Sequence, residues 1–216
     1  ALLAWHASAA RSFPWRARDL DAWKVLMAEM CLHRTRADQV EPVFRELLRI
    51  APTPRKMLRN ETKVLAAMRS LGLKWRAENL IRVARALIDN FGGRVPDSES
   101  DLLSLPGVGD YVAQAVLCFG FGHRAVLMDT NTKRIASRIR GGDDTRRWQV
   151  RLDLYRLAGP AGPDAAFNYA LLDLGARYCR AARPLCGECP LQAHCATGTG
   201  DGAAAVGAEV EEAVAA

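Results

Sequence analysis

Apolar residues recur at intervals of three and four along most of the chain, the pattern of helices that bury one face. Trp23, Leu26, Met27, Met30 and Cys31 form one stripe. Val64, Met68 and Leu71 form a second, and Leu80, Val83, Ala84 and Leu87 a third. Glycine and proline clusters interrupt the periodic stretches at Phe91–Pro96, Leu105–Gly109, Gly141–Asp144 and Ala158–Pro163, where helices are expected to end. No alternation of apolar and polar residues lasts long enough for a half-buried strand. The expected fold class is therefore all-α. Residues 98–119 predict helix, tight hairpin, helix, with the turn at Leu105-Pro106-Gly107-Val108-Gly109. Two glycines two apart are expected to take positive φ and to let the backbone come close to a ligand, while the free N–H groups opening the second helix suit a phosphate. An ordinary helix–helix turn is the plainer reading of the same residues.

Length and charge refine this picture only partly. The chain has 216 residues, enough for one large domain or two small lobes. No apolar run approaches the ~18–20 residues of a membrane span, and the N-terminal residues lack the charged and apolar regions of a signal peptide. Cys31 and Cys118 sit in apolar helical stretches and are expected to be buried free thiols. Together these point to the reducing cytoplasm. Net charge is +6, but four of the 24 acids (Asp201, Glu209, Glu211 and Glu212) and no base follow Cys195, so the body carries +10. Such a basic body suggests a polyanionic partner. From about residue 197 the composition turns to Ala, Gly and Glu, so residues 198–216 are expected to be a disordered tail.

Four cysteines carry the clearest chemistry. Cys179, Cys186, Cys189 and Cys195 are spaced C-x6-C-x2-C-x5-C, with Gly and Pro between them that let the chain wrap around one centre. Four thiolates are what a [4Fe–4S] cluster requires. Zinc is the alternative, but its four-cysteine sites usually pair two short knuckles and only one is present here. Two disulfides fit poorly with a chain that otherwise looks cytoplasmic.

Taken together, the LPGVG hairpin, an aspartate some 20 residues beyond it and the cysteine spacing resemble the helix-hairpin-helix DNA glycosylases, in the branch of endonuclease III, MutY and the thymine mismatch glycosylases. The resemblance runs from about Arg11 to Cys195 and includes FPWR at 13–16, AEMCLHRTRADQV at 28–40, MDTNTKR at 128–134 and FNYALLDLGARYC at 167–179. It implies two helical lobes with a DNA cleft between them. Residues 15–125 would form a barrel lobe, and 1–14 plus 126–197 the lobe bearing the cluster. It also implies a monomeric enzyme of base excision repair, nucleoid-associated in the cytoplasm, acting on double-stranded DNA that holds a mismatched or damaged base.

Residue by residue, the resemblance implies that Asp129 is the catalytic aspartate, stabilising an oxocarbenium-like sugar and helping water attack it; capping the following helix is the plain alternative, and the two are compatible. Tyr111 stands where bifunctional members carry a lysine. A phenol cannot form an imine, which implies base removal without strand cleavage. As the plainer alternative, Tyr111 would be only a wall of the pocket. Glu29 matches the acid that protonates the departing base, against the bland reading of a solvated helix position. The hairpin residues Leu105, Gly107, Val108 and Gly109 are assigned to the DNA backbone, with Asn131 among the DNA contacts. His33 and Arg34 fall where the family's loop faces the orphaned base, and Arg34 would donate to guanine oxygens; a charged helix C-terminus is the plainer reading. Arg180 and Arg183, between the first two cluster cysteines, would reach phosphates.

The base itself is read from departures. The MutY branch carries a tyrosine pair where this chain has Leu73 and Lys74, together with a further C-terminal domain. Tyr111 with the LHRT and DTN segments looks more like the thymine/uracil branch, so the expected substrate is thymine or uracil opposite guanine. A MutY-like adenine glycosylase is the alternative. A DNA-binding iron–sulfur protein without catalysis is the alternative of another class, and a zinc-bearing helical DNA-binding module lies outside the family.

Overall fold

The structure, a computed structural model, describes residues 1–17, 20–72, 74–142 and 146–200. Every regular element among the described residues is helical. Besides short 3-10 and π turns, the α-helices in chain order are α1 (Leu2–Ala9), α2 (Ala22–Leu32), α3 (Ala37–Ile50), α4 (Pro54–Arg59), α5 (Glu61–Met68), α6 (Lys74–Phe91), α7 (Glu99–Leu103), α8 (Asp110–Ala115), α9 (Thr130–Arg140), α10 (Arg147–Ala158), α11 (Ala165–Arg177) and α12 (Ala196–Thr199). The all-α expectation holds. No described helix is long and apolar enough to cross a membrane. By its internal contacts the chain divides into two compact units, one of Ser12–Ala125 and one of Ala1–Arg11 with the chain from Val126 on.

In the Ser12–Ala125 unit the three stripes read from the sequence are all buried. The helix α2 is more than a one-faced helix. Val25 is 3% exposed, Ala28 1% and Glu29 6%, so it is buried on every side, packed against α3, α6 and α8. The sequence AWKVLMAEMCL explains this, since apolar residues stand between the stripe positions as well as on them. Trp23 fits inside because its indole N–H donates to the carbonyl oxygen of Ala51 at 3.1 Å. Side-chain caps start the helices: Asp21 accepts from the Lys24 N–H at 2.9 Å, Thr53 from Lys56 at 3.2 Å and Ser98 from Asp101 at 3.2 Å. Cys31 and Cys118 are buried and form no disulfide, as expected.

The second unit is built around α9, which packs against α10, α11 and α12. Leu2, Ile135, Val150, Leu154, Phe167, Leu171 and Leu174 fill its core. Asp173, only 2% exposed, gathers the N-terminal segment: it accepts from the Arg11 backbone N–H at 3.0 Å and from Arg11 Nε at 2.6 Å, with His6 Nε2 at 3.3 Å. The helices α9 and α11 come close at Gly175, where a Cβ would stand 3.3 Å from the Cβ of Asn131. Gly198 and Thr199, grouped with the tail on composition, lie in α12. Gly200 caps that helix, and residues 201–216 fall outside the described residues, as do Leu73 and the Asp143–Asp144 end of the Gly141 turn.

Candidate functional site

Asp129 opens α9 with a capping box. Its Oδ1 accepts from the N–H groups of Asn131 (2.9 Å) and Thr132 (2.8 Å), and the Thr132 hydroxyl accepts in return from the Asp129 N–H at 2.9 Å. Oδ2 accepts from Asn131 Nδ2 at 2.8 Å. Three donors thus fix the carboxylate, which has about four acceptor positions, and the residue is half-buried. The capping role weighed from the sequence is real. Asn131, assigned from the sequence to DNA contact, has both ends of its amide engaged inside the protein, since its Oδ1 accepts from Arg134 Nη2 at 2.9 Å.

The same helix reaches the cysteine loop. Arg134 donates to the carbonyl oxygen of Cys179 from Nε at 2.9 Å and Nη2 at 2.8 Å. One turn on, Arg138 donates to Cys179 Sγ at 3.4 Å and to the carbonyl oxygens of Arg180 at 2.7 Å and Ala181 at 2.9 Å. A chain of hydrogen bonds therefore runs from the cysteine loop through Arg134 and Asn131 to Asp129. Neither arginine was singled out in the sequence. Their i, i+4 spacing marks one helix face, but it says nothing of a loop some 45 residues on.

Cys179, Cys186, Cys189 and Cys195 line one small cavity with Arg138, Tyr178 and Pro184. The Leu191 N–H bonds to Cys189, and those of Thr197 and Gly198 to Cys195. Burial pushes the Cys189 and Cys195 thiols up, and those N–H groups oppose it. Among the described residues no group of three or more His, Cys, Asp or Glu is arranged to hold a single metal ion. The donor set, four thiols around one cavity with N–H groups on the sulfurs, fits a four-iron cube with one thiolate for each iron. Arg180 and Arg183 are both exposed on the loop between the first two cysteines.

The hairpin joins α7 to α8. Gly107 takes φ +72°, which favours glycine, and a Cβ there would come within 2.7 Å of Asn79 Nδ2 on α6, so that side chain would have to move. Gly109 differs from the expectation of positive φ. It is extended at φ −97°, caps α8, and faces open space where a Cβ would stand. Leu105 and Val108 are buried, at 3% and 6% exposure, and their N–H groups close the turn internally, on the carbonyl oxygens of Leu102 and Leu105 at 3.1 Å each.

Glu29 and Tyr111 belong to the Ser12–Ala125 unit, as does the hairpin, whereas Asp129 belongs to the other. Tyr111 is half-buried in the first turn of α8, packed against the core. The burial of Glu29 at 6% removes the solvated-helix reading. A carboxyl in such a place is costly without partners, and Glu29 has them. His33 and Arg34 are exposed in the turn after α2, and Arg34 holds φ +56°. Burial, then the charges of Arg34 and Arg76, push the His33 imidazole below its ordinary pKa.

Comparison with known proteins agrees with this arrangement. A family model described as HhH-GPD superfamily base excision DNA repair protein matches residues 27–159. The chain is 38% identical over 197 residues to a thymine-DNA glycosylase of Aeropyrum pernix, covering 86% of each. It is 35% identical to an adenine DNA glycosylase of Mycolicibacterium smegmatis, covering 90% of this chain and 67% of that one. Among solved structures, a thermostable thymine-DNA glycosylase superposes with a TM-score of 0.79 at 29% identity, covering 92% of this chain and 94% of that one.

Proposed function

The chain belongs to the HhH-GPD superfamily of base excision DNA repair proteins, and on that premise we propose that it is a monofunctional DNA glycosylase that removes thymine or uracil opposite guanine. The observation that carries the proposal is Asp129, a carboxylate fixed by three internal donors at the start of α9. A preorganised negative charge of this kind stabilises positive charge that develops on a sugar as its base departs. The target nucleotide leaves the duplex stack, at a cost of a few kcal/mol. The bond between C1′ and the base nitrogen then breaks, its electron pair leaving with the base. Water adds to C1′, and Asp129 takes the proton that water loses. Glu29 supplies a proton or hydrogen bond to the departing base.

Tyr111 supports the monofunctional reading. Its phenol has a pKa near ~10 and no amine nitrogen, so it cannot form the imine through which a strand is cut. The backbone at Gly107 and Gly109 meets a DNA phosphate, the buried Leu105 and Val108 hold the turn that presents it, and Arg180 and Arg183 lie on neighbouring phosphates. Arg34 reads the base left behind and His33 lies beside it. Asn131 acts here by orienting Asp129. Cys179, Cys186, Cys189 and Cys195 hold a [4Fe–4S] cluster that fixes the loop carrying Arg180 and Arg183. The protein acts as a monomer.

Thymine and uracil are favoured over adenine by the similarity to a thymine-DNA glycosylase over 86% of both chains. Single-turnover excision on T:G, U:G, A:G and A:8-oxoG duplexes tests this. Excision from T:G and U:G is expected. Excision confined to the two adenine duplexes would transfer the chain to the adenine reading, and excision from none would leave a DNA-binding protein without catalysis.

A further inference from the structure

Between α2 and α3 the chain turns through His33-Arg34-Thr35-Arg36. Arg34 is the non-glycine residue with positive φ among those described, a conformation that costs energy for any residue with a Cβ and persists only where the surroundings impose it. A buried group on α6 bonds to residues on both sides of Arg34. Arg76, 3% exposed, donates from Nη1 to the carbonyl oxygen of Cys31 at 3.2 Å and, from the same nitrogen, to the hydroxyl of Thr35. Those acceptors lie on either side of Arg34 in the chain. The Thr35 N–H closes the turn on the Leu32 carbonyl at 3.1 Å. One guanidinium thus clamps both ends of the turn from inside the unit.

The clamp is costly in other respects. Arg76 Nε is buried without a hydrogen-bond partner among the described residues, and a buried cation with an unmade bond is poor value as a fold stabiliser alone. The same guanidinium lies 5.9 Å from the ring centre of the exposed Trp75, which stands edge-on to His33 at 6.2 Å. Trp75, His33 and the Arg34 turn are therefore organised around one buried group. A simple helix C-cap would need the Cys31 contact only, whereas the second bond, to the Thr35 hydroxyl, lies beyond Arg34.

We propose that Arg76 is a positioning residue for base discrimination, holding Arg34 in the left-handed conformation from which it reads the base opposite the excised one. This rests on the reading of Arg34 given above. Methionine at 76 keeps length and apolar packing but removes both bonds, whereas lysine can still reach one acceptor.

The test is single-turnover excision by the full chain on T:G and T:A duplexes, for the wild type, Arg34→Ala, Arg76→Met, Arg76→Lys, Thr35→Val and the Arg34→Ala/Arg76→Met pair. The ratio of T:G to T:A rates is expected to fall ~5-fold or more in Arg76→Met, in the same direction in Thr35→Val, and less in Arg76→Lys. The pair should fall no further than Arg34→Ala, because both changes remove one interaction. A general loss of folded protein lowers both rates equally and leaves the ratio alone. A ratio that collapses in Arg34→Ala but holds in Arg76→Met overturns the positioning role and spares the reading of Arg34. A ratio unmoved by Arg34→Ala overturns both. If Arg76→Met does not fold, Thr35→Val decides: an unchanged ratio there counts against the clamp.

Discussion

Arg134 donates twice to the carbonyl oxygen of Cys179, from Nε at 2.9 Å and Nη2 at 2.8 Å, while Nη2 also reaches Asn131 Oδ1 at 2.9 Å. The residue that fastens the cysteine loop is thus the one that orients the amide beside Asp129. Arg134→Met should loosen both ends. The expected result is a slower single-turnover excision rate with DNA affinity retained, together with faster loss of visible Fe–S absorbance on dilution. Two charge-assisted bonds to a carbonyl contribute about 1.5–3 kcal/mol each. An unchanged excision rate would mean that Asn131 holds Asp129 without help.

Substituting Asp129 separates capping from catalysis. In Asp129→Asn the amide oxygen still accepts from the Asn131 and Thr132 N–H groups, while the contact of Oδ2 with Asn131 Nδ2 is lost. Excision should fall ~100-fold or more with DNA binding kept within a few-fold. Excision within a few-fold of wild type would reduce Asp129 to a helix cap.

The cysteines and the helix stripes could be read from the sequence because each is a local pattern. Four thiols within 17 residues of one another show their spacing directly, and Leu80, Val83, Ala84 and Leu87 show a helix face without any partner being known. Arg134, Arg138 and Arg76 could not be found in this way. Each bonds to atoms 41 to 45 residues away, and an arginine on a helix looks the same whether it is solvated or clamps a turn. Glu29 stood in between. Its burial follows from α2 being apolar on all sides, which the sequence displays, yet a lone glutamate in a helix ordinarily marks a solvated face. Gly109 was misread because a glycine in a hairpin suggests positive φ, while here it serves as an extended helix cap.

Cys31 gives a prediction on pH. Burial pushes its thiol from 9.0 up to about 12, with the Arg76 charge opposing. Between those values the native state keeps a proton that the unfolded state has lost. Stability from this group is therefore whole below the lower value and declines as pH rises toward the upper one. Peptide mass spectrometry after alkylation at about pH 8.5 should find Cys31 unmodified in the native protein and modified after denaturation. Equal modification in both would contradict its burial.

The central claim, base removal without strand cleavage at a site with tyrosine at position 111, is tested most directly by the product. A single-turnover reaction of the unmodified protein on an end-labelled T:G duplex is divided into three portions: untreated, heated in alkali, and reduced with borohydride during turnover. The account predicts an intact strand in the first, cleavage at the former thymine in the second, and no covalent protein–DNA complex in the third. Strand breakage without alkali, or a trapped complex, would contradict it and would require an amine elsewhere in the chain to carry the chemistry.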